Sequence, residues 1–141
     1  MTENIREPEV LEPQVVWEMM QDNPAVLLVD VRSDMEFLMI GHPKGAKNVA
    51  WIDHPQWTVN QNFVQQVRKL LLGRLSAQQR APLVLICRSG NRSSDAAKLL
   101  LDEGMENVSI VAGGFEGPLD SAHHRSTVAG WRFCGLPWEQ C

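Results

Sequence analysis

The sequence predicts an α/β fold, a parallel sheet wound with helices on both faces, and three observations predict it. Apolar runs at Ala25-Val26-Leu27-Leu28-Val29, Leu83-Val84-Leu85-Ile86 and Val108-Ser109-Ile110-Val111 show almost no polar alternation, as strands buried on both faces require. Segments with helical spacing separate them; Phe63, Val67, Leu70 and Leu71 share one helix face. Strand and helix therefore alternate along the chain, the order of a parallel sheet with crossover helices.

Taken in order, Pro13 to Met20 reads as a helix with proline in its first turn. Asn23-Pro24 introduces a buried strand over Ala25 to Asp30. Ser33-Asp34-Met35-Glu36 has capping-box spacing and starts a short helix that ends near Gly41. Ala46 to Ile52 reads as a further strand, and the helix from Phe63 ends near Gly73. The strand Leu83 to Ile86 leads to a helix from Ser93 that closes around Glu103-Gly104, and Val108 to Val111 supplies another strand. Asp53 to Asn62 and Gly117 to Gly130 read as loops, each a candidate border of a pocket. There is no internal repeat.

The 141 residues suit a single domain, 1–141, with a core from about residue 10 to 138. Hydrophobic residues at 44% and charged residues at 21% describe an ordinary globular composition. No segment approaches the ~20 apolar residues of a membrane span, and the acidic N-terminus has no apolar signal region, so a cytoplasmic location is expected. A net charge of −4 argues against a nucleic-acid partner, which normally demands a basic face. The three cysteines, Cys87, Cys134 and Cys141, form no C-x-x-C pair, so neither a disulfide framework nor a zinc site is expected. Reduced thiols fit better.

One loop concentrates the chemistry. Cys87 stands where an apolar strand gives way to Arg88-Ser89-Gly90-Asn91-Arg92-Ser93 and then a helix. In open α/β sheets ligands bind at that edge, and N–H groups at a helix N-terminus attract negative charge. The same field favours thiolate over thiol, with Arg88 and Arg92 adding positive charge. Gly90 and Asn91 tolerate the unusual dihedrals of a loop that curls its N–H groups toward one point. A lone cysteine at a strand end is often a small buried hydrophobe; this loop favours a nucleophile, Cys87, in an anion pocket formed by residues 88–93.

The spacing Cys87-x-x-x-x-Arg92 resembles the active-site loop of the rhodanese family, and of its single-domain sulfurtransferases in particular. Asp30-Val31-Arg32-Ser33, Glu36-Phe37 and Gly41 to Val49 are similar to the family's first signature. Gly113-Gly114-Phe115, Gly130-Trp131 and Gly135-Leu136-Pro137-Trp138 resemble its closing motifs. The matches run in family order from about Val26 to Trp138; Lys44 departs from the pattern, at a turn. The resemblance implies a five-stranded doubly wound sheet and a cysteine that carries a persulfide.

It also implies a reaction, transfer of a sulfane sulfur from thiosulfate or a similar small anionic donor. Thiosulfate contains a weak S–S bond and a stable leaving anion, so a thiolate needs placement and charge neutralisation and no general base. Cys87 attacks the outer sulfur, the loop N–H groups hold the persulfide, and Arg88 and Arg92 bind the donor and the departing sulfite. Cyanide, a low-molecular-weight thiol or a protein cysteine then accepts the sulfur. No cofactor and no metal are expected. The mercaptopyruvate branch of the family tends to carry Cys-Gly-Ser-Gly here, unlike Cys87-Arg88.

Two other classes remain in view. Cysteine-dependent phosphatases and arsenate reductases bind a tetrahedral oxyanion, and the phosphatases use a longer Cys-x5-Arg loop, often with a histidine where this chain has Ile86. A relay module would pass sulfur between proteins through the same Cys87 with little turnover of free thiosulfate.

The remaining polar residues read as structural. Arg32 is expected to pair with Glu36 near the strand end, and neither they nor Asp30 is given a chemical role. His42 reads as a hydrogen-bonding turn residue, and His123-His124 as exposed loop residues that do not ligate a metal. Trp131 and Trp138 read as packing residues, and Cys134 and Cys141 as bystanders.

Overall fold

The computed structural model describes residues 7–53, 57–73 and 81–141. Its elements run β1 (Glu9–Leu11), α1 (Pro13–Asp22), β2 (Leu27–Asp30), a π-helical turn (Glu36–Ile40), β3 (His42–Pro43), β4 (Lys47–Asn48), β5 (Ile52–Asp53), β6 (Thr58–Val59), α2 (Phe63–Leu72), β7 (Leu83–Ile86), α3 (Asn91–Asp102), β8 (Val108–Val111) and β9 (Trp138–Glu139).

Five strands form one sheet in the order β1-β8-β7-β2-β4, and every pairing in it is parallel. From β2 the chain moves outward to β4, then returns to lay β7 on the other side of β2 and continues to β8. The winding direction thus reverses between β2 and β7, where a doubly wound sheet opens a crevice at the carboxyl ends of its strands. Asp30 is level with Ile86 in the register, so the segments that leave β2 and β7 emerge side by side at that crevice.

The apolar runs explain both layers. On one face Leu27, Val29, Leu83, Leu85, Val108 and Ile110 pack with Phe63 and Val67 of α2 and with Ala96, Ala97 and Leu100 of α3. On the other, Leu28, Val84, Ile86 and Val111 pack with Val16 of α1, Phe115 and Trp131. Trp131 is fully buried, sets its ring edge-on to Trp17 at 6.1 Å and donates from Nε1 to the Pro137 carbonyl at 2.9 Å. That donor contact is what lets an indole sit in an apolar layer without an unmet N–H. Among the described residues no helix is long and apolar enough to cross a membrane.

Several local expectations shift. β1 is an exposed three-residue edge strand, too short to show a periodicity. The strand expected over Ala46 to Ile52 is interrupted: only Lys47–Asn48 forms a ladder with β2, and Ile52–Asp53 pairs antiparallel with β6. The Asp53 to Asn62 loop therefore includes a strand; its residues 54–56 lie outside the described set. The capping box forms as expected, Ser33 and Glu36 exchanging bonds at 3.1–3.3 Å, but the helix it opens closes as a π turn through Gly41 N–H to the Glu36 carbonyl at 3.2 Å. Gly41 then takes φ +116°, with the Trp138 ring where a Cβ would stand. α1 extends to Asp22, and α3 starts at Asn91, two residues earlier than Ser93.

Candidate active site

β7 ends at Ile86 and delivers Cys87 to the crevice, 1% exposed. Gly90, at φ +127°, lets the chain turn sharply into α3 and presents its N–H to Cys87 Sγ at 3.0 Å. Ser93, one turn into the helix and fully buried, sets its Oγ 3.3 Å from Sγ and donates that hydroxyl to the Gly90 carbonyl at 3.1 Å. The sulfur thus rests on the first turn of α3, where helix N–H groups concentrate positive potential. Gly90 alone carries the unusual backbone of this loop; Asn91, expected to share it, is an exposed residue of the helix itself. Ser89 is half-buried and Arg88 exposed.

A second segment braces the loop from behind. Phe115 N–H donates to the Cys87 carbonyl at 2.8 Å, and Glu116 and Gly117 N–H donate to that of Arg88 at 2.9 and 3.1 Å. Gly114, at φ +65°, makes this approach possible: a Cβ there would stand 2.5 Å from the Cys87 carbonyl oxygen. The Gly113-Gly114-Phe115 motif fixes the backbone that carries the sulfur.

The segment leaving β2 forms the third side, and here one expectation is corrected. Arg32 does not pair with Glu36. It is fully buried against Asp30, with Nε 2.9 Å from Oδ1 and Nη2 2.5 Å from Oδ2, donates from Nη2 to the Gly41 carbonyl at 2.6 Å, and lies 4.6 Å from the Phe115 ring centroid. Asp30, two residues away on the same strand edge, and the Gly41 carbonyl take its Nε and Nη2, while Nη1 is buried without a hydrogen-bond partner among the described residues. Burial pushes the Asp30 carboxyl up, against the opposing pull of that guanidinium.

Glu36 is thereby left facing the loop, and it takes Arg92. Arg92 Nη1 and Nη2 donate to Oε1 and Oε2 at 2.7 and 2.9 Å, a two-pronged pair with both side chains about one-fifth exposed. Burial pushes the Glu36 carboxyl up, but the bonds and charge of Arg92, with those of Ser33, outweigh it and hold the group at about 2. The Arg92 guanidinium is pushed further up, chiefly by the Glu36 hydrogen bond, against desolvation. One of the two positive charges expected to flank the cysteine is therefore matched by a carboxylate. Arg88 has no ion pair among the described residues. Glu36 is the site residue that sequence reasoning placed in the wrong pair; its position one turn beyond the strand neighbouring β7 is the signal that points to it.

Beside the loop lies an open cleft of about 510 Å³ bounded by Arg88 and Arg92, with Met35, Ile40, Ile52 and Trp57 as apolar walls. Trp57 comes from the Asp53 to Asn62 segment; the Gly117 to Gly130 loop is not among the cleft's walls.

Other candidates lie where structural roles place them. His42 bonds through Nδ1 to the Phe37 carbonyl at 2.8 Å and stacks on the Phe37 ring. His123 and His124 are exposed. Trp138, 42% exposed, packs its ring edge-on to Phe115 at 5.9 Å. Cys134 and Cys141 are free and lie outside the loop; burial pushes the Cys134 thiol up, with Glu12 adding to the effect.

Comparison with known proteins gives one family. The family model for the rhodanese-like domain matches residues 12–119. The chain is 35% identical over 117 residues to the thiosulfate sulfurtransferase GlpE of Haemophilus influenzae strain PittEE, covering 79% of this chain and 93% of that protein. It is 34% identical over 98 residues to a tRNA uridine(34) hydroxylase of Prochlorococcus marinus strain MIT 9313, a match spanning 70% of this chain but 29% of that protein. The crystal structure of Rv0390 from M. tuberculosis superposes with a TM-score of 0.80 at 36% identity, covering 96% of this chain and all of that one.

Proposed function

The chain belongs to the rhodanese-like domain family, and on that premise we propose that it moves a sulfane sulfur from thiosulfate or a similar anionic donor to a thiophilic acceptor through a persulfide on Cys87. The observation that carries this reading is the sulfur's seat: Cys87 Sγ sits at the start of α3, bonded by the Gly90 N–H and touching Ser93 Oγ. The loop is short, with four residues between Cys87 and Arg92, which suits a guest as small as one sulfur atom. The kinship to a thiosulfate sulfurtransferase supports thiosulfate as a donor.

The geometry supports a two-step transfer. Cys87 thiolate attacks the outer sulfur of the donor, the S–S bond breaks, and its electron pair leaves on sulfite. The new terminal sulfur carries negative charge, which the N-terminal end of α3 stabilises without any group having to move. Arg88, exposed at the cleft, draws the donor in, while Arg92, fixed by Glu36, braces the far end of the loop. A nucleophile, cyanide in an assay or a low-molecular-weight or protein thiol in the cell, then takes the outer sulfur and restores the thiolate. Neither a metal nor an organic cofactor is needed, because the donor already contains the weak bond. A reducing compartment, the cytoplasm, suits a cycle of free thiols.

The test is thiocyanate formation from thiosulfate and cyanide. The wild-type chain is expected to show ping-pong kinetics, Cys87→Ser to show no activity, and neither to hydrolyse a phenyl phosphate. Phosphate release that depends on Cys87, without thiocyanate formation, would replace this reading with a phosphatase.

A further inference from the structure

Trp138 stands on β9, the last strand, and its exposure means that it adds little to the buried core. Its contacts are specific all the same. β9 pairs antiparallel with β3, which sets Trp138 opposite Pro43 and Glu139 opposite His42. The ring lies against Gly41, so closely that a Cβ on that glycine would stand 2.7 Å from Cε3. Its other neighbours are fixed by the core: Phe115, fully buried, meets it edge-on, and the Arg132 guanidinium lies 5.3 Å from the centroid of each ring. The two residues that follow secure the same π turn from outside, Gln140 Nε2 donating to the Met39 carbonyl at 2.7 Å and Cys141 N–H to that of Leu38 at 3.0 Å.

Gly41 is where this C-terminal strap meets the turn that carries Glu36. Its N–H closes the π turn on the Glu36 carbonyl, and its own carbonyl accepts from Arg32 Nη2. π turns are rare and occur mostly at functional sites. At the start of this one Ser33 holds the Glu36 carboxyl; at its end the Trp138 ring presses on the glycine. We propose that Trp138 is a positioning residue for sulfur transfer: by fixing Gly41 it fixes the turn that aims Glu36 at Arg92, and through that pair it orders the end of the Cys87 loop. This rests on the persulfide reading of Cys87. Without the ring, Gly41, at φ +116°, regains the freedom of a glycine with an open side. The turn then loosens, Glu36 spends part of its time away from Arg92, and fewer molecules hold the loop in the arrangement that reacts.

The experiment has two readouts on the full chain. The first is the Glu36 carboxyl, followed by carbon-13 NMR between pH 5 and pH 3 and assigned by its absence in Glu36→Gln. In the wild-type chain it stays ionised over that window, since Arg92 holds it at about 2. In Trp138→Ala it is expected to take up a proton there, as an ordinary glutamate does, and Trp138→Phe, which keeps a ring over Gly41, restores the wild-type behaviour. The second readout is the rate at which thiosulfate loads Cys87, in Trp138→Ala, Glu36→Gln and the double variant. Trp138→Ala is expected to slow loading by roughly tenfold, the scale of a small misplacement passed to the reacting groups. The thiosulfate KM is nearly kept because Arg88 is untouched. The double variant is expected to be no slower than Glu36→Gln alone. Trp138→Val, a better strand former, is the second variant if alanine loosens β9 itself, with the same expected readouts. A Glu36 carboxyl that titrates alike with and without the ring, or a Trp138 substitution that slows both backgrounds by the same factor, overturns the inference and leaves the persulfide intact. Failure of thiosulfate to load Cys87 in the wild-type chain, read by intact mass, overturns the persulfide reading and the inference that rests on it, whatever the titration gives.

Discussion

Glu36 holds Arg92 by two parallel hydrogen bonds, 2.7 and 2.9 Å, although 56 positions separate them in the chain. The contact joins the turn after β2 to the helix after β7 across the point where the sheet reverses its winding. The pair locks the end of the cysteine loop to the neighbouring strand.

That lock has a pH signature. Glu36 sits at about 2 in the fold against 4.5 for an ordinary glutamate, so its contribution to stability is complete above about pH 4.5 and is lost as pH falls toward 2. Because the pair is partly exposed and screened, the contribution is on the order of 1 kcal/mol. Denaturant unfolding at stepped pH checks it: the stability gap between wild type and Glu36→Gln narrows from pH 5 to pH 2. A gap that stays constant over that window contradicts the ion pair.

Gly114→Ala tests the brace behind the loop. The added Cβ would meet the Cys87 carbonyl oxygen at 2.5 Å and the Arg88 carbonyl oxygen at 2.7 Å, and φ +65° adds strain. A loss of about 1–3 kcal/mol is expected, with a larger proportional loss of sulfur transfer because the displaced carbonyls carry the nucleophile. Thermal unfolding and turnover, measured together, check it.

Ser93→Ala separates seat from scaffold. It removes the hydroxyl 3.3 Å from Sγ and its bond to the Gly90 carbonyl, at a cost of about 1 kcal/mol in stability. The rate of persulfide formation is expected to drop by roughly tenfold, since that hydroxyl can turn its proton to the sulfur when charge develops there. Stopped-flow loading with thiosulfate reads the rate.

The two arginines are expected to fail differently. Arg88→Ala removes an exposed charge at the cleft and raises the donor KM with kcat nearly kept. Arg92→Ala also leaves Glu36 without its partner, so it lowers kcat and costs about 1–3 kcal/mol of stability. Steady-state kinetics with both variants decides the point.

Much of this architecture is written locally in the chain. The apolar runs at Leu27, Leu83 and Val108 are strands because residues without polar alternation must be buried on both faces, and Cys87-x-x-x-x-Arg92 marks the loop. What local reading misses is the choice among partners. Arg32 and Glu36 lie one helical turn apart and look paired, yet Arg32 turns back to Asp30, two residues before it, and Glu36 reaches across the crevice to Arg92, 56 positions away. The strand expected over Ala46 to Ile52 is divided because the chain leaves β2 for a hairpin with Thr58–Val59, a choice set by tertiary pairing. The cleft walls, Met35 and Trp57 among them, carry no motif and come together only through the fold.

The most direct measurement is intact mass after incubation with saturating thiosulfate, followed by peptide mapping. A gain of one sulfur atom on Cys87 is predicted, removed by cyanide or a reducing thiol and absent in Cys87→Ser. No gain in mass, or a sulfur carried on Cys134 or Cys141 while Cys87 stays unmodified, would contradict the account.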